Sequence, residues 1–162
     1  MAETYVTEEM RADLGKEREK RVSFPVDKFA IRQWAIAVQW PEPPNRLYWD
    51  EEYAKKTRFG GIIAPPFFNP FAYHIDEERM KGPSQAGLRT GQPGTSTMNG
   101  GTEVEYYEPI RPGDVITSVS KVVEYNERKG RLGLMLFTIT ETRWTNQRGE
   151  LVRISRGTGI RY

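Results

Sequence analysis

Asn45-Arg46-Leu47-Tyr48-Trp49-Asp50 and, after nine intervening residues, Gly60-Gly61-Ile62-Ile63-Ala64-Pro65-Pro66-Phe67-Phe68 decide how this chain is read. Asp50 is placed to cap a short helix. Glu51 and Glu52 complement the positive end of that helix, Lys55, Lys56 and Arg58 its negative end, and Gly60-Gly61 terminates it. Beyond the double proline, Phe67, Phe68, Phe71, Ala72 and Ile75 recur at spacings of three or four, which predicts a long buried helix with Pro70 inside its first turn.

Working outward on the N-terminal side, Pro41, Pro43 and Pro44 stop a preceding helix. That helix starts from the cap Asp27, with Val26 and Ile31 as a hydrophobic staple, and runs to about Gln39. Val22-Ser23-Phe24-Pro25 predicts a short strand. Residues 1–21 are charged, with Thr7 as a cap from Glu8, and form an N-terminal extension to a single domain over residues 22–162. On the C-terminal side, residues 79–100 are rich in Gly, Pro, Ser and Thr and predict a long loop. Thr102 to Ile110, Val115 to Tyr125, Leu132 to Thr145 and Leu151 to Arg161 are strand-like, separated by turn compositions at 111–114, 126–130 and 146–149. Three consecutive hairpins are therefore expected, in an α+β layout of five antiparallel strands with one face of the sheet covered by helices.

Composition narrows the chemistry. The 162 residues include no Cys and one His, His74, which excludes thiol nucleophiles and disulfides and argues against a metal centre. No apolar run reaches the roughly 20 residues that span a bilayer, and Met1-Ala2-Glu3-Thr4 has no signal-like character, so the expectation is a soluble cytoplasmic protein without a membrane role. A formal net charge of +2 gives no reason to invoke nucleic acid. From Asn126 onward eight basic residues face three Glu, so an anionic ligand would favour that end, unless the charges serve only to solvate a strand surface.

Three runs, in order, resemble the MaoC-like hydratases and dehydratases: Gly61 to Pro66, Asn99-Gly100-Gly101-Thr102-Glu103-Val104-Glu105-Tyr106-Tyr107, and Pro109-Ile110-Arg111-Pro112-Gly113-Asp114-Val115-Ile116. The resemblance covers about residues 20–162 and is strongest to the N-terminal or partner half of fatty-acid-synthase-type dehydratases. It implies the hot-dog fold, a five-stranded antiparallel sheet wrapped around a long central helix. It also implies an Asp-x-Asn-Pro-apolar-His-x-Asp run ahead of the Ala-Pro-Pro turn. Here Asn45, Leu47 and Asp50 match, while Pro43 stands at the Asp position, Arg46 at the Pro position and Tyr48 at the His position.

Hydration of a 2-enoyl thioester needs a base for water and an acid for the α-carbon. Pro43 can be neither, and a tyrosine with a reference pKa of about 10 is a poor base. Weak replacements are Glu42, Asp50 and His74, each with a bland alternative as loop acid, helix cap and packed or helix-end histidine. Binding can outlast catalysis, because the thioester oxygen is held by backbone N–H groups. Asn45, Tyr48, Trp49, Gly61, Ile62, Ile63, Ala64 and Phe67 are therefore the expected substrate-binding residues. The aromatic cluster around them, with Trp40, Phe68, Phe71 and Tyr73, is either pocket lining or core. No cofactor is expected beyond the CoA or carrier-protein portion of an acyl thioester. Two functions follow: a binding subunit in a homo- or hetero-oligomer whose hot-dog partner supplies Asp and His, or a free-standing homodimeric hydratase or thioesterase with a relocated acid-base set.

Overall fold

The computed structural model describes residues 4–72, 75 and 96–162. Its elements are α1 (Glu8–Ala12), β1 (Glu17–Val22), α2 (Lys28–Gln39), a 3-10 turn (Arg46–Tyr48), α3 (Glu51–Lys55), β2 (Thr97–Tyr106), β3 (Thr117–Gly130), β4 (Gly133–Thr145) and β5 (Leu151–Arg161). All five strands form one sheet in the order β1-β3-β4-β5-β2, every pair antiparallel. Among these residues no helix is long and apolar enough to cross a membrane.

The helix caps lie where the side chains require them. Thr7 accepts from the Met10 N–H, Asp27 from the Phe29 N–H and Asp50 from the Tyr53 N–H, and each bond satisfies an amide that its helix leaves open. Val26 and Ile31 are both buried, so the staple at the start of α2 is real. Ile31 and Ala35 are fully buried, and Ala30 and Trp34 also pack against the core, which includes Ile116, Trp144 and Val152 from the sheet side.

The segment between α2 and the sheet fills the interior, and over residues 66–72 it does so with turns where a helix was expected. Phe68 meets Trp34 edge-on at 5.8 Å and Phe71 meets Trp144 edge-on at 5.3 Å. Phe68 is 2% exposed, which is worth roughly 2–3 kcal/mol of transfer free energy. Residues 66–72 nevertheless make turns. Pro65, Pro66 and Pro70 have no N–H to give, and Phe67 sits at φ +62°. The remaining amides are satisfied locally, Phe68 N–H by the Pro65 carbonyl and Phe71 N–H by the Asn69 side chain. The rest of the expected helix, with Tyr73 and His74, lies outside the described residues, as does most of the expected 79–100 loop. The longest helix among the described residues is α2.

Three strand expectations are also corrected. The first strand lies at Glu17–Val22 rather than from Val22 to Pro25, so residues assigned to the N-terminal extension belong to the sheet. β3 continues to Gly130, through the expected 126–130 turn, and the hairpin closes across Arg131 and Leu132 with Gly133 at φ +94°. β2 pairs with β5 and not with β3, so there are two consecutive hairpins. The Arg111-Pro112-Gly113-Asp114 turn is part of a crossover from one side of the sheet to the other, with Gly113 at φ +88°. That crossover is pinned by main-chain bonds of 2.8 Å: Val26 N–H to Asp114 C=O, Gly113 N–H to Val26 C=O, and Ala64 N–H to Ile110 C=O. These bonds bring the Ile62–Pro66 turn against the sheet.

Candidate active site

The Asn45–Asp50 loop is built by its own side chains. Asn45 accepts from the Leu47 N–H at 2.9 Å and opens the 3-10 turn, and the Trp49 indole donates to the Pro44 carbonyl at 3.0 Å. Arg46 donates through Nε and Nη2 to one oxygen of Asp50, whose other oxygen caps α3. The Tyr53 N–H and then Arg46 hold the Asp50 carboxyl below the usual carboxylate range. It is an anion committed to structure. Glu42 and Pro43 are exposed on the same loop.

Tyr48, by contrast, packs against the core and walls a cavity of about 430 Å³. Burial pushes its hydroxyl above the ordinary tyrosine value, further from service as a base. Ile63, Ala64 and Phe67 line the same cavity, so the structure brings together four of the expected binding residues. Asn45 and Trp49 support the loop instead, and Gly61 and Ile62 face a shallower depression beside Lys28 and Arg111. The amide supply differs from expectation. Ala64 N–H is taken by Ile110, Pro65 and Pro66 have none, and Phe67 N–H donates to the Tyr106 hydroxyl at 3.1 Å.

Tyr106, Tyr107 and Arg153 complete the wall and were not singled out by residue pattern. Their meeting is a matter of register: Tyr106 lies opposite Arg153, Arg153 opposite Trp144, and Trp144 opposite Ser118, one row across four strands. The Tyr106 oxygen accepts from Phe67 and keeps its own proton to donate. Burial pushes the Arg153 guanidinium down, with the Tyr106 hydroxyl beside it partly offsetting the shift, and the group stacks on Trp144 with its carbon 3.4 Å from the ring centre. The cavity thus offers hydrogen-bond donors on an apolar wall. Glu108 is the only carboxylate among its described lining residues and is exposed. Among the described residues no cluster of His, Asp and Glu is disposed to hold a metal ion.

Residues 12–155 match the model of the FAS1-like dehydratase domain region. The chain belongs to that family. It is 27% identical over 123 residues to a UPF0336 protein of Thermobifida fusca, with 76% of each chain covered. It is 28% identical over 152 residues to a protein of Thermomonospora curvata named "Probable enoyl-CoA hydratase alpha subunit", covering 88% of this chain and 47% of that one. The chain thus spans about half the length of the second relative. Among solved structures it resembles the ChsH1–ChsH2 complex of Mycobacterium tuberculosis, with TM-score 0.66, 18% identity and coverage of 90% and 88%. It also resembles the MaoC-like dehydratase of Rhodospirillum rubrum, with TM-score 0.56, 22% identity and coverage of 89% and 90%. The fold is the hot dog of the MaoC-like hydratases and dehydratases.

Proposed function

We propose that this chain is an acyl-thioester-binding subunit that does not itself transfer protons, and that it works beside a second hot-dog subunit carrying the Asp and His of an enoyl-thioester hydratase or dehydratase. The observation that carries the reading is the composition of the cavity wall. Where the family places its acid-base pair, Pro43 is exposed outside the cavity and Tyr48 is a hydroxyl driven away from basicity. What remains on the wall binds: the Tyr106 hydroxyl proton is available to a thioester oxygen, beside the aromatic and aliphatic surface of Phe67, Ile63 and Val152. The "alpha subunit" in the name of the Thermomonospora relative and the two-component composition of the mycobacterial complex support a hetero-oligomer.

The test is purification with and without the product of a neighbouring gene that encodes the Asp-x-Asn-Pro-apolar-His run, followed by crotonyl-CoA hydration measured as loss of enoyl absorbance. The expected result is turnover by the pair and none above background by this chain alone, with acyl-CoA binding retained. Turnover by the isolated chain at the rate of the pair would overturn the reading in favour of a homodimeric enzyme.

A further inference from the structure

Behind the thioester cavity, between the inner face of the sheet and α2, lies a second cavity of about 460 Å³. Phe67 and Arg153 belong to the walls of both, so the two spaces adjoin across these side chains. An acyl chain held by its carbonyl near Tyr106 would run into this second space. Its wall is not that of a pocket for an aliphatic tail. Ser118, Ser120, Thr142 and Ser155 present hydroxyls there, in two successive rows of the sheet register.

Two donors in this space have no acceptor. Arg153 Nε and Trp34 Nε1 are buried without a hydrogen-bond partner. Two neighbouring arginines are paired, Arg156 with Glu141 and Glu105 and Arg148 with Asp114 and Glu150. Among the described residues no carboxylate pairs with Arg153. A second guanidinium, Arg21, also lines the cavity and lies over the Phe71 ring at 4.7 Å, while Glu19, the one acid among the described lining residues, is exposed. A half-buried guanidinium without a counter-charge is costly, and the Trp144 stack and the Tyr106 hydroxyl offset only part of that cost. A methyl-terminated chain would leave Arg153 Nε and Trp34 Nε1 unpaired, whereas Ser120 and Thr142 already bond each other at 2.9 Å.

We propose that this second cavity is a carboxylate-binding acyl pocket, so that the chain selects thioesters whose acyl group ends in a second carboxylate. The proposal rests on the thioester reading for its first half and on Arg153, Trp34 and the hydroxyl rows for its second. A carboxylate accepts from the planar guanidinium, from the indole N–H and from the hydroxyls together, which an ester or alkyl end does not do as well.

Calorimetry on the full chain with glutaryl-CoA and valeryl-CoA, which share a five-carbon acyl length, tests the idea. Glutaryl-CoA should bind tighter by about tenfold or more, since a site built to pair a polar group discriminates strongly against its absence. Arg153→Leu should erase the difference, and Trp34→Phe, which keeps an aromatic ring in the core, should remove part of it. Equal binding, or tighter binding of valeryl-CoA, by the unmodified protein overturns the proposal whether or not either variant folds. Free glutarate separates the two readings, because Trp34 and Trp144 wall the cavity and report its occupancy by fluorescence. If glutarate shifts that signal through Arg153 while no CoA ester binds, the thioester reading falls and the carboxylate pocket stands. Silence with glutarate and with both esters removes both.

Discussion

Asp114 is 2% exposed and accepts from the Arg111 N–H at 2.8 Å, Gln147 Nε2 at 3.1 Å and Arg148 Nη1 at 3.3 Å. It ties the crossover turn to the β4–β5 hairpin, so Asp114→Ala strands a buried amide and frees the crossover that positions Ala64. The expected loss is about 2–4 kcal/mol, read as a shift in the urea midpoint at unchanged slope. Restoring the family acid-base pair has a different outcome from the one its motif suggests. Tyr48→His places an imidazole on the cavity wall, but Pro43→Asp places its carboxylate on an exposed loop away from that wall. The double variant should fold and leave crotonyl-CoA hydration by the isolated chain at background, and turnover clearly above it would show the loop able to reach the cavity. At this scale the sequence was legible where a residue caps a helix beside it: Thr7, Asp27 and Asp50 each accept from an amide two or three positions on, whereas Asn45, expected to bind substrate, opens the 3-10 turn. Tyr106 and Arg153 were not legible, because their pairing depends on β2 joining β5 across a gap of 47 residues in sequence, and a chain of consecutive hairpins would have placed Tyr106 beside β3 instead.

Helix α2 was readable from end to end because cap, staple and apolar spacing agree, and agreement among local signals is what specifies an element. Its cap can be tested directly: Asp27→Ala removes the acceptor of the Phe29 N–H and should cost about 1 kcal/mol, measured by thermal or urea unfolding. Over residues 66–72 the expected helix is replaced by turns for the converse reason, and its continuation lies outside the described residues. Apolar spacing pointed one way while three prolines and the positive φ of Phe67 pointed the other, and burial of Phe68 and Phe71 is achieved equally well by turns. The N-terminal segment shows a pH dependence. Glu127, on β3, accepts from the Tyr5 N–H at 2.6 Å and from Thr4 at 2.9 Å, and these bonds hold its carboxyl below the ordinary glutamate value. With the folded value depressed, the anchoring is complete above the unfolded reference of about 4.3 and is lost as pH falls through the lower folded value. Hydrogen exchange at Tyr5 and Val6 should therefore accelerate, relative to intrinsic rates, on acidification through that window, and Glu127→Gln should weaken the protection already at neutral pH.

Among the described residues the sheet ends in two edge strands, β1 and β2, and they are not alike. β1 carries Glu17, Arg18, Glu19, Lys20 and Arg21 in succession, a charged edge of the kind that resists pairing. β2 carries only Glu103 and Glu105 among ten residues, and it is exposed along nearly its whole length. Met98, Tyr106 and Tyr107 leave apolar surface beside it, and Phe24, Phe29 and Trp40 are more than half exposed elsewhere on the molecule. A strand edge with unpaired N–H and C=O groups next to aromatic surface is stabilised by a neighbour, and a second hot-dog subunit presents the same geometry. The chain should accordingly not persist as a monomer: light scattering at micromolar concentration should give at least twice the single-chain mass of 18.7 kDa. Thr102→Lys, at an exposed position near the middle of β2, places a charge on that edge and should move the equilibrium toward the single-chain mass. A monodisperse species at 18.7 kDa for the unmodified protein would mean that the β2 edge is tolerated in water, and that the subunit reading must rest on a partner that binds elsewhere.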